Sequence, residues 1–213
     1  IYVGYHGGFS DYLATTDKNG GILPMLSTYN HQVRWCAWRE LAALLPRVAN
    51  DLACLMFEVP PEPWGTSAET TRASIQRYCD VAREWGGLAI IDEVVTGFRY
   101  DLGGAQAMYG VQADLACFSK GMANGYKLAA LTGPRELMQV FDGGRVFLST
   151  TFGGEATALA ACKETLDVLQ QTRALGHLRW YGSGVGNNLA GLLAKYAIPA
   201  RLRGNYARMV LDW

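Results

Sequence analysis

Leu88-Ala89-Ile90-Ile91-Asp92-Glu93 is a run of four apolar residues closed by two acids. It is short enough for a strand and lacks the polar alternation of a half-exposed antiparallel one, so it reads as a strand buried on both faces. Leu52 to Phe57, Leu115 to Phe118 and Leu128 to Leu131 have the same texture. Between the first two runs, Ser67 is placed to cap a helix carrying Ile75, Tyr78, Cys79, Ala82 and Trp85 on one stripe. Gly86 and Gly87 then end it. Strand, helix and second buried strand make a βαβ unit, which predicts an α/β fold with a mostly parallel sheet flanked by helices.

Further along, a helix is expected over about 156–171, burying Leu159, Cys162, Leu166 and Leu169. From about Thr172 the chain is richer in glycine and arginine, with a helix expected around Asn187 to Tyr196 and a strand at Met209 to Trp213. The change of texture divides the chain into 1–171, the central part of a larger domain, and 172–213, the start of a smaller α+β one.

Composition narrows the function classes. Of 213 residues, 50% are apolar and 18% charged, as in ordinary globular proteins. Nineteen basic residues balance nineteen acidic ones, so no overall field favours nucleic acid or an anionic membrane. No apolar stretch approaches the roughly 18 residues of a spanning helix. Five cysteines without a CxxC pair, beside three histidines, argue against a disulfide framework or a metal site and for free thiols in a reducing, cytoplasmic compartment. The chain opens on Ile1-Tyr2-Val3-Gly4-Tyr5-His6, which resembles the middle of a strand, so a fragment of a longer protein is expected.

Ligands of parallel sheets sit beyond the carboxyl ends of the strands. There the sequence places Tyr5 and His6, then Glu58, then Asp92 and Glu93, then Ser119 and Lys120. Each has an ordinary reading: Tyr5 as core, Asp92 as a turn or helix cap, Glu58 as the partner of a nearby arginine, Lys120 as a solvated loop residue. The combination carries more. An aldehyde cofactor such as pyridoxal phosphate needs a lysine amine, a carboxylate at its pyridine nitrogen, apolar contacts on its ring faces and donors for its phosphate. Lys120, Asp92, Tyr5 with Val94, and Thr151 are available for these four tasks. Thr151 precedes the helix expected from about Ala156, where a plain helix start is the competing reading.

Four segments resemble those of class III pyridoxal-phosphate aminotransferases. Ile90 to Arg99 (IIDEVVTGFR) is similar to the aspartate motif, and Asp114 to Gly121 (DLACFSKG), continuing to Asn124-Gly125, to the lysine motif. Gly4-Tyr5-His6-Gly7 resembles the ring-stacking segment and Thr151-Phe152-Gly153-Gly154 the phosphate-binding one. Gly103-Gly104-Ala105-Gln106 and Val95 are most like glutamate-1-semialdehyde aminomutase and its relatives. The resemblance implies the type I pyridoxal-phosphate transferase fold and a homodimer with shared active sites. It also implies an amino-group transfer between a small amine or amino acid and a carbonyl compound, through an internal aldimine on Lys120. An aminomutase, or a silent truncated paralogue kept for assembly, are the alternatives. It further implies that Lys120 and Asp92 are catalytic, that Tyr5, His6, Glu58 and Val94 contact the cofactor, and that Thr151 reaches the cofactor phosphate of the neighbouring subunit. Two positions depart from the pattern: Glu58 is followed by Val59-Pro60-Pro61, and Lys127 stands where the family often has proline.

Overall fold

The computed structural model describes residues 1–213. In chain order the elements are β1 (Tyr2–Val3), α1 (Ser10–Leu13), β2 (Gln32–Val33), α2 (Trp38–Val48), β3 (Cys54–Glu58) and α3 (Ala68–Glu84). There follow β4 (Leu88–Asp92), α4 (Gly104–Tyr109), β5 (Leu115–Phe118), β6 (Ala130–Thr132), α5 (Arg135–Met138), α6 (Ala156–Gln171), α7 (Ala174–Lys195), β7 (Arg201–Asn205) and β8 (Arg208–Asp212). Six strands form one sheet in the order β2-β1-β3-β4-β5-β6, and β7 and β8 form a separate hairpin.

The sheet is parallel from β2 to β5, as the unbroken apolar runs require. Only β6 runs antiparallel, against β5. The short link 119–129 contains a single 3-10 turn and no crossover helix, so it cannot carry the chain back for a parallel pairing. Register decides where the polar strand ends emerge. Val3 faces Phe57, Glu58 faces Asp92, and Asp92 faces Cys117. The polar residues that close four strands therefore stand side by side at one edge.

The main core is the seam between this sheet and α3. Leu55, Phe57, Ala89 and Ile91 are fully buried with Ile75, Cys79 and Ala82 of the helix. Tyr78 lies stacked on Trp38 with ring centroids 4.4 Å apart, and its hydroxyl accepts from the Cys36 N–H at 2.7 Å. Ser67 caps α3 as expected, accepting from the Thr70 N–H at 3.2 Å. Trp85 ends the helix and is half-buried against the same core.

Three expectations need correction. The run Leu128 to Leu131 reads as a strand covered on both faces, but β6 spans Ala130–Thr132 at the edge of the sheet, where only β5 pairs with it and Leu131 is exposed. The α6 bounds are as read, but its apolar stripe is not buried: Leu159 is 49% exposed, Cys162, Leu166 and Leu169 are half-buried, and only Ala158 is fully covered. Helical period reports that a face is apolar; what covers it depends on neighbours, and here α6 packs chiefly on α7 and the turn after β5. The second helix begins at Ala174 rather than near Asn187. Five glycines along α7 hide it, because glycine is a poor helix former. Two of them are required by packing. A Cβ on Gly182 would strike the Tyr206 carbonyl, and one on Gly186 the Trp64 ring.

Candidate active site

The register gathers Tyr5, His6, Asp92, Val94 and Lys120 around one cleft of about 790 Å³ at the carboxyl edge of the sheet. Tyr12, Lys18, Gln32 and Val95 also line it.

Asp92 closes β4 and is 7% exposed. One oxygen accepts from the Val94 N–H at 2.8 Å, and no hydrogen bond within the chain uses the other. Burial pushes its carboxyl above the usual range, and the nearby Glu58 carboxylate adds to this. The Val94 N–H, Lys120 and His6 pull the other way. A buried acid with one free oxygen and a raised affinity for protons is suited to sharing a proton with a basic ring nitrogen.

The loop after Asp92 is held by Glu93, which is fully buried. Its carboxylate accepts from the Ala105 N–H at 2.8 Å and the Gln106 N–H at 2.9 Å, and from the Thr96 hydroxyl. Burial raises this carboxyl too, while those donors oppose the shift. The anion thus satisfies the free N–H groups that open α4. Gly104 must be glycine here: its φ is +76°, and a Cβ would collide with the Glu93 carboxylate. Gly97 has a different reason, since a Cβ there would meet the Glu93 carbonyl at 2.6 Å and the Phe118 ring at 2.7 Å.

Lys120 follows β5 in the left-handed region, at φ +39°. That conformation costs a non-glycine residue about 1–2 kcal/mol. Two bonds hold the turn: the Met122 N–H to the Ser119 carbonyl at 2.9 Å, and the Ser119 hydroxyl to the Leu128 carbonyl at 2.7 Å. Its side chain is exposed in the cleft.

Tyr5 is buried in an aromatic cluster, edge-on to Tyr12 with centroids 4.9 Å apart, and the Tyr12 hydroxyl donates to its carbonyl at 2.7 Å. Burial first, and the Asp92 carboxylate second, push its hydroxyl far above the ordinary phenol range. Glu58, 2% exposed, lies behind the cleft. It pairs with His6 through one oxygen and accepts from Arg208 through the other at 2.7 Å. The arginine partner foreseen for Glu58 therefore comes from β8, 150 residues away in sequence.

Thr151 stands apart. It is exposed, in the turns before α6, and does not line the cleft. Beside it, the Lys127 ammonium lies 4.1 Å from the centroid of the Phe152 ring. Two contributors, Arg208 and Lys18, escaped the sequence reading and give no local signal, since only the fold carries them to the site. Glu93 was read at its strand end, but its role in holding the start of α4 was not.

A mostly parallel sheet that brings a lysine and an acid to neighbouring strand ends defines an α/β protein with a polar cleft at the carboxyl edge of its sheet. Comparison with known proteins narrows it: the family described as "Aminotransferase class-III" matches residues 3–212, and the chain belongs to that family. It is 32% identical over 202 residues to the 3-aminobutyryl-CoA aminotransferase of Cloacimonas acidaminovorans, covering 94% of this chain and 48% of that protein. It is 31% identical over 160 residues to the glutamate-1-semialdehyde 2,1-aminomutase of Heliobacterium modesticaldum, covering 75% and 36%. The chain thus spans about half or less of the length of these relatives. Among solved structures, an omega-transaminase from Sphaerobacter thermophilus superposes with a TM-score of 0.82 at 21% identity, covering 99% of this chain and 52% of that one. The fold is therefore that of the transaminases.

Proposed function

We propose that the protein containing this chain binds pyridoxal phosphate and transfers an amino group between a small amine or amino acid and a carbonyl compound. The observation that carries this reading is the single cleft on which Asp92, Val94, Tyr5 and Lys120 converge. The residues fit the cofactor: a free oxygen of a buried acid for the ring nitrogen, Val94 and Tyr5 for the ring faces, an exposed lysine for the aldehyde. When bound, pyridoxal phosphate supplies an aldehyde that captures a primary amine and a ring that withdraws electrons from it. Asp92 would hold the proton on the ring nitrogen. Lys120 Nζ would take a proton from one substrate carbon and deliver it to the acceptor position, as base and then as acid. His6 and Glu58 brace the wall of the cleft, and Arg208 fixes Glu58.

The active unit we propose is a homodimer in which Thr151 serves the neighbouring subunit's cofactor phosphate; its exposure outside its own cleft supports this. The small-domain boundary is proposed at 172, in the break between α6 and α7. Five free cysteines support a reducing compartment, and we propose the cytoplasm. Aminomutation within one substrate is the second reading, favoured by the aminomutases among the relatives.

The test is chemical trapping in the complete protein. Borohydride reduction in the presence of cofactor, followed by peptide mapping, should place the pyridoxyl group on Lys120. The competitor is Lys18, which lines the same cleft; a label there would overturn the assignment.

A further inference from the structure

A second hollow, of about 430 Å³, adjoins the cleft at Lys120. Its wall contains Arg99, Lys120 and Lys127, and no carboxylate. It shares Lys120 with the main cleft but none of Asp92, Val94, Tyr5 or His6. Lys120 therefore stands in the partition between a cleft that holds an acid and a hollow that holds only cations.

Lys120 feels the Asp92 carboxylate, but the chain gives Arg99 and Lys127 no ion-pair partner. None of its ion pairs uses Arg99, Lys120 or Lys127. Glu164 lines the neighbouring depression with Arg99 and Asn124, yet forms no pair with either cation. Arg99 is half-buried, and its one hydrogen bond runs from Nη1 to the Val95 carbonyl at 2.8 Å, so the remaining guanidinium N–H groups are free. That bond ties Arg99 to the loop carrying Val94, which fixes its distance from the cofactor-facing wall. Lys127 is steadied from outside by the Phe152 ring at 4.1 Å. Asn124, whose side-chain amide has no partner in the chain, adds a neutral donor to the same wall.

Like charges that line one hollow without counter-ions repel each other, and an anion between them reverses that cost. We propose that Arg99 and Lys127 form a cation pair that receives an anionic group, a carboxylate or a phosphate, carried by the amine or carbonyl substrate. This rests on the reading of Lys120 as the residue the substrate amine displaces: the amine then sits at Lys120, and the charged end of the substrate extends into the hollow. Arg99 supplies a planar fork for two oxygens and Lys127 a mobile point charge. Substrates without an anionic group leave both cations unmatched and are turned over less efficiently.

The test uses the complete, cofactor-loaded protein, so that the cofactor's own phosphate occupies its subsite. Uptake of cofactor is first read from its visible absorbance in every variant. A protein that takes up none overturns the proposed function and this inference with it. Succinate and inorganic phosphate are then titrated calorimetrically. Binding of either supports the proposal, and which one binds identifies the anion. Lys127→Gln and Arg99→Gln should each weaken that binding about tenfold, and Lys127→Arg should restore it. In single-turnover measurements, the preference for β-alanine or phosphoethanolamine over uncharged propylamine should fall by about the same factor in both glutamine variants. Loaded protein that binds neither anion, or glutamine variants with unaltered affinity and preference, would overturn the inference while leaving the transferase reading intact.

Discussion

Glu93→Gln changes one atom type and no volume, so its effect reports the hydrogen bonds of the loop that carries Asp92 and Val94. The carboxylate receives the Ala105 N–H and the Thr96 hydroxyl on Oε2 and the Gln106 N–H on Oε1. A glutamine amide offers one oxygen. If it faces Ala105, the NH₂ group faces the Gln106 N–H; if it is turned round, the conflict moves to Ala105. Either way one backbone donor is left without a partner in a buried site, a loss of about 1–3 kcal/mol. The bonds that remain change from charge-assisted to neutral, which removes roughly 1 kcal/mol more. Relief of the burial that raises the Glu93 carboxyl offsets part of this. The net cost is about 2–3 kcal/mol, or roughly 30–150-fold in a local opening equilibrium. Hydrogen exchange in the complete protein measures it directly: the amides of 105 and 106 should exchange faster by that factor, while those of β3 do not. Protection within threefold of the parent would show that the carboxylate does not hold this loop.

Asp92→Asn should still take up cofactor but slow proton abstraction by at least about 100-fold in a single-turnover assay; a near-normal rate would assign the ring nitrogen to another acid. Cofactor-free protein adds a pH test of the same residue. Because burial raises the Asp92 carboxyl above its ordinary value of 3.8, its contribution to stability is complete below that value and is lost as pH rises through the raised one. The thermal midpoint should therefore fall less steeply with rising pH in Asp92→Asn than in the parent, and equal slopes would count against it. Thr151→Ala should weaken both cofactor affinity and the strengthening of the dimer by cofactor, read by sedimentation across a dilution series; a dimer constant indifferent to cofactor in both proteins would leave Thr151 as part of a helix start. Gly182→Ala separates propensity from packing, because helix propensity favours alanine by about 1 kcal/mol whereas the Tyr206 carbonyl obstructs its Cβ. The midpoint should drop, and a rise would show that the α7–hairpin contact gives way freely.

Strands β3, β4 and β5 and helix α3 were legible because their physics is local. A strand covered on both faces must be apolar throughout, and polar residues then mark where it leaves the core, as Glu58, Asp92 and Ser119-Lys120 do. The Ser67 cap was readable for the same reason, since its partner is three residues away. The stripe of α6 was misjudged because apolar period does not name the surface that covers it. The start of α7 was missed because glycines needed for contact with Tyr206 and Trp64 look, in sequence, like helix breakers.

The sequence alone therefore determined the βαβ order and the polar residues that close its strands, since each depends on side chains within a few positions of one another. Tertiary structure decided which of them meet. Parallel register set Glu58 beside Asp92, and β8 returned Arg208 to Glu58 across 150 residues. The loop after β4 and the link after β5 brought Arg99 and Lys127 to one hollow with Lys120. Those proximities depend on register, chain reversal and packing between distant segments, and no local pattern of residues encodes a distance between side chains so far apart in sequence.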